Sequence, residues 1–132
     1  MILLTNTVAQ TVAPGASVTF DTTIFHTGTG ECHRAGSSAV TMRCRGIYEA
    51  DFSANIGGTA AGTVTLAIQT SGETLPETVM DSVTAAAGDL ENVATMTAIR
   101  NFCSGYDRIT VTNTGAVEVT VENPKLYVKR VA

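Results

Sequence analysis

The sequence predicts an all-β protein: a sandwich or barrel of about nine or ten short antiparallel strands in one domain. Three observations carry this. The stretch "GIYEADFSANIGG" from Gly46 alternates strictly, with Tyr48, Ala50, Phe52, Ala54 and Ile56 apolar and Glu49, Asp51, Ser53 and Asn55 polar, so one face is buried and the other wet. Thr, Val, Ala and Gly dominate while aromatics reach only 5% and Trp is absent, a composition suited to pleated sheet and tight turns. A length of 132 residues is enough to bury a single core unaided.

Residues 1–14 read as an N-terminal arm and residues 15–132 as the domain. Pro14 and Gly15 make a turn, after which Val18, Phe20, Thr22 and Ile24 alternate as an early strand. "HTGTGECHRAGSS" is a loop by its Gly, Ser and Thr content. "AVTMRCRG" then puts Val40, Met42 and Cys44 on one strand face and Thr41, Arg43 and Arg45 on the other, and feeds the Gly46 stretch. Beyond "GGTAAG", Val64, Leu66 and Ile68 alternate, and this strand is expected to form a hairpin with the preceding one.

From Glu77 to Met96, Val79, Val83, Ala86 and Leu90 fall near helical spacing, but the many β-branched residues and Gly88 oppose a helix. The expectation is strand over 78–85, a turn over 87–89 and strand over 93–99. "YDRITVTNTG", "AVEVTVEN" and "KLYVKRVA" close the chain as strands, with turns at Gly105, Gly115 and Pro124.

Twelve acidic against eight basic residues give a net charge of -4, which argues against a nucleic-acid partner. "MILLTNTVAQ" lacks the parts of a secretory signal, and no run reaches the roughly 18 apolar residues of a membrane span, so a soluble product of the cytoplasm is expected. Three cysteines leave one outside any intramolecular disulfide scheme.

Little in the chain reads as catalytic. His26, Glu31, Cys32 and His33 are metal-ligand types, yet their spacing matches no zinc pattern, and the expectation is an exposed loop with no metal. Glu49 and Asp51 share a strand face and read as solvated carboxylates rather than an acid–base pair. There is no Gly-x-Ser-x-Gly elbow, and only two histidines exist to serve a nucleophile. No cofactor is expected. Arg43 and Arg45, two apart on one strand face, are candidate contacts to carboxylates of a neighbouring subunit or capsid. Cys44 reads as a core thiol, while Cys32 and Cys103 read as accessible, either free or cross-linking subunits.

The order of "AVTMRCRGIYEADFSANI", "GTVTLAIQTSGE" and "YDRITVTNTG" before a final apolar strand resembles the tumour-necrosis-factor-like and complement-like globular jelly roll. Gly46 and Tyr48, Gly72, and Asp107 and Arg108 are the matching positions. The opening "NTVAQTVAPGASVTFDTTIFHTGTG" is similar to small bacteriophage structural proteins and to the heads of exosporium filaments. The resemblance implies a homotrimer that decorates or binds and is not an enzyme. Its expected place is the virion, on the major capsid or another virion protein. The other reading it allows is a receptor- or glycan-binding module of the same fold.

Overall fold

The computed structural model describes residues 1–102 and 107–132. Among them twelve strands, β1 Ile2–Thr5, β2 Gln10–Val12, β3 Thr22–His26, β4 Glu31–His33, β5 Val40–Met42, β6 Gly46–Gly58, β7 Gly62–Thr70, β8 Glu73–Thr74, β9 Met80–Thr84, β10 Glu91–Asn101, β11 Asp107–Asn113 and β12 Val119–Arg130, form two six-stranded sheets. The first sheet runs β10, β6, β12, β1, β3, with β2 also on β12; the second runs β4, β5, β11, β7, β8, with β9 also on β7. Every pairing is antiparallel. The sequence reading of an all-β antiparallel sandwich holds.

The core is the interleaved inner faces. Tyr48, Ala50, Phe52, Ala54 and Ile56 of β6 meet Leu126 and Val128 of β12 and Ile2 and Leu4 of β1, while the second sheet supplies Val40, Met42, Leu66, Ile68, Ile109 and Val111. Removing this apolar surface from water is the main favourable term.

Several expectations are corrected. Residues 1–14 are not an arm: β1 sits inside the first sheet between β12 and β3, because Ile2 and Leu4 alternate inward. β6 and β7 are not a hairpin but lie in opposite sheets, since β10 and β12 already occupy both edges of β6. Val18 and Phe20 are buried outside any ladder, and the strand begins only at Thr22. Its pairing slips between Leu3 and Leu4, leaving Ile24 as the extra, exposed residue of a bulge. The loop after His26 contains β4. Pro124 does not end a strand: β12 runs through it by a second bulge, where Asn123 takes φ of 51°.

The ambiguous segment is strand, turn, strand, with β9 beginning at Met80 rather than 78. Pro76–Thr78 forms a single 3-10 turn, pinned by the buried Thr78 hydroxyl, which accepts the Ile68 amide at 2.9 Å and donates to Leu75 O at 2.7 Å. Asn113 fixes the turn after β11, donating to Val12 O and Val117 O and accepting the Gly115 amide. The expected turn at Gly105 lies outside the described residues.

Candidate interaction surfaces

The outward face of the first sheet carries a groove of about 560 Å³, lined by Leu3, Asp51, Ser53, Ala94, Met96, Lys125 and Tyr127 among others. Strand register explains it. Phe25 of β3 lies opposite Leu3 of β1, Leu3 opposite Tyr127 of β12, Tyr127 opposite Asp51 of β6, and Asp51 opposite Met96 of β10, making one row across five strands. Phe25 meets Tyr127 edge-on at 6.4 Å. Met96 is 64% exposed and Phe25 39%, so an apolar band faces solvent where a lone sandwich would carry polar side chains. The alanines and threonines of β10 divide as strand geometry demands: Thr95 and Thr97 turn inward, Ala94 and Ala98 outward.

Asp51 is the one acid in that row. Desolvation, and then the neighbouring Glu49, push its carboxyl above the usual carboxylate range, while Lys129 opposes them. Its Oδ1 is buried without a hydrogen-bond partner. A carboxyl with a raised value in the fold favours the protonated state, so its contribution to stability is fully present below its unfolded value and is lost as pH rises through the folded one. Asp51→Asn is therefore expected to stabilise the protein at neutral pH, with the gain shrinking to nothing below about pH 4. Urea unfolding of both proteins across that range checks this; a gain that is independent of pH overturns it.

The predicted contacts Arg43 and Arg45 do not share a strand face. β5 stops at Met42 and the chain bends at Cys44 and Arg45, because the Tyr48 hydroxyl, 2.9 Å from the carbonyls of Gly30 and Cys44, accepts the Cys44 amide at 3.2 Å and ties the bend to the core. Arg43 lines a cleft of the second sheet with Arg34 and Arg108; Arg45 lines another with Arg100 and Arg130. Sequence reasoning missed this grouping, since Arg108 reaches Arg43 only through the pairing of β11 with β5.

Cys32 is half-buried on the outer side of β4, and Cys44 is half-buried rather than in the core. Cys103 lies outside the described residues, as does Tyr106. Of "HTGTGECH", residues 27–29 are an exposed bend, but Glu31–His33 form β4 rather than loop. Glu31 turns inward, 1% exposed, and pairs with the ammonium of Met1, while His26 Nε2 sits 2.7 Å from Glu31 O and His33 Nε2 sits 2.9 Å from Ser37 O. Among the described residues no three His, Cys, Asp or Glu side chains converge as a metal site.

No sequence-family profile matches the chain, and no curated protein matches it in sequence. Solved structures do. Murine APRIL, in crystals at pH 5.0, superposes with a TM-score of 0.68 at 15% identity, over 97% of this chain and 98% of that one. Eiger TNF from S. frugiperda gives 0.56 at 11% identity over 99% and 92%. The fold is a tumour-necrosis-factor-like jelly roll. PRD1 vertex protein P5 has the same jelly roll, with a TM-score of 0.56 at 12% identity over 99% of this chain and 96% of that one. At these identities the likeness is one of fold.

Proposed function

We propose that this jelly roll is a non-enzymatic virion structural protein of a bacteriophage, a homotrimer that decorates the capsid or heads a fibre. The observation that carries the assembly is the apolar row from Phe25 to Met96 on the outward face of the first sheet. An exposed band of this kind is stabilised when a second surface covers it, and copies of the same chain are the simplest source of that surface. The likeness to PRD1 vertex protein P5 supports a place on a particle.

Light scattering of the purified protein is expected to give three times the chain mass across micromolar concentrations. Met96→Arg places an unpaired charge at the β10 end of the covered surface and is expected to yield folded monomer, since burying such a charge costs several kcal/mol. A monomeric wild-type protein overturns the trimer. Co-sedimentation with purified particles tests the virion assignment; protein that stays in the supernatant overturns it.

A further inference from the structure

All six arginines of the chain line one or other of two clefts, three in each. In a protein with more acids than bases, this leaves two local concentrations of positive charge. None of the six is within ion-pair distance of a carboxylate among the described residues, where Met1 with Glu31 is the single ion pair, and the undescribed residues 103–106 contain no acid. The cleft of Arg45, Arg100 and Arg130 adjoins the outward face of the first sheet, where Arg100 lies opposite Ile47 and rests on the Phe102 ring at 4.7 Å. The cleft of Arg34, Arg43 and Arg108 lies on the other sheet, away from the surface through which the trimer is proposed to form.

Register brings its three side chains together around one residue. Thr41 of β5 stands opposite Cys32 of β4 on one side and opposite Arg108 of β11 on the other. Arg43 is two residues beyond Thr41, its amide held by Gly30 O at 2.8 Å, and Arg34 is two residues beyond Cys32 at the diagonal position. Residues directly or diagonally opposite on one sheet face are within reach of long side chains, and the three arginines line one cleft with Thr41. All three arginines are exposed, and no carboxylate lines the cleft of about 410 Å³, a volume within the roughly 300–1,000 Å³ of small-molecule sites. Mutual repulsion of three like charges is relieved by an anion, and the planar guanidinium fork pairs two N–H groups with two oxygens of one oxyanion.

We propose that the Arg34, Arg43 and Arg108 cleft binds a single oxyanion group: sulfate, phosphate or the carboxylate of an acidic sugar. The assignment is independent of the trimer, and an anion-binding monomer and a non-binding trimer are distinguishable results.

Calorimetric titration of the full chain with sodium sulfate, sodium phosphate and sodium glucuronate, at ionic strength balanced with chloride, tests it. The expected result is saturable binding of at least one of the three at one site per chain. Sulfate or phosphate binding without glucuronate identifies a tetrahedral group, and preferential glucuronate binding identifies an acidic sugar. Arg43→Gln and Arg108→Gln are each expected to weaken the binding about 10-fold or more. Arg45→Gln, in the other cleft, is expected to leave it unchanged, and Arg43→Lys to fall between wild type and Arg43→Gln because the charge stays but the fork is lost. No saturable binding of any of the three anions in the millimolar range overturns the proposal, as does an affinity that is unchanged in both Gln variants or lost equally in Arg45→Gln.

Discussion

Replacing Phe52 with Ala is expected to lower stability by about 3 to 5 kcal/mol, and replacing Glu49 of the same strand with Ala to change it by less than about 0.5 kcal/mol. Phe52 is 1% exposed and stands at the middle of β6, opposite Thr95 of β10 and Leu126 of β12. The β10 ladder runs past Phe52 without a break and β12 pairs in register from Lys125 to Arg130, so the sheet is poorly able to collapse into the space left behind. The cost is therefore lost burial plus a cavity. Glu49 lies on the same strand with its side chain on the outward face, beside Lys129 and Ala98, and packs against nothing in the core. Urea unfolding at one protein concentration measures both, because a trimer's apparent stability depends on concentration. Equal midpoints for the two variants would mean that the faces of β6 are assigned the wrong way round.

That assignment was legible in the sequence because β6 obeys a period of two from Tyr48 to Ile56, and one-residue slippage would expose Tyr48 and Phe52 together. The short strands β1 and β4 were not. β1 has only "ILLT", two inward side chains, which is too short to show a period, and β4 hides in a Gly- and Thr-rich stretch. Bulges erased the pattern elsewhere: Ile24 is the added residue in β3, and Asn123 with Pro124 mimics a turn inside β12. The two interaction surfaces were illegible for a different reason. Phe25, Leu3, Tyr127, Asp51 and Met96 come from five strands, and Arg34, Arg43 and Arg108 from three separate parts of the chain. Neither set has any spacing in sequence, and only sheet order makes either a site.

Gly57→Ala is the second large effect expected, with a loss of about 3 kcal/mol or more, at or beyond the upper end of ordinary overpacking. Gly57 does not have a positive φ, so its backbone conformation suits alanine and only space decides the outcome. A Cβ at this position would run into the carbonyl oxygen of Asp89 and come within 3.0 Å of Leu90 Cδ2. The obstacle is backbone rather than a flexible side chain. Asp89 cannot retreat freely, because its amide bonds to Ala86 O at 3.1 Å in the turn between β9 and β10, and β10 follows at Glu91 paired to Ile56. Moving it would pull β10 from the edge of the first sheet, where Met96 and Ala94 line the groove proposed to hold the trimer together. The substitution should therefore weaken assembly as well as folding. Gly115→Ala is the control: a Cβ there meets Asn113 Oδ1 and Thr65 Cβ at 3.4 Å, close to ordinary contact, so the change in stability is expected to stay below about 1 kcal/mol. Thermal unfolding with light scattering on each variant checks both; a Gly57→Ala protein that melts with the wild type and remains trimeric would show that the turn from Ala86 to Asp89 does not press on β6.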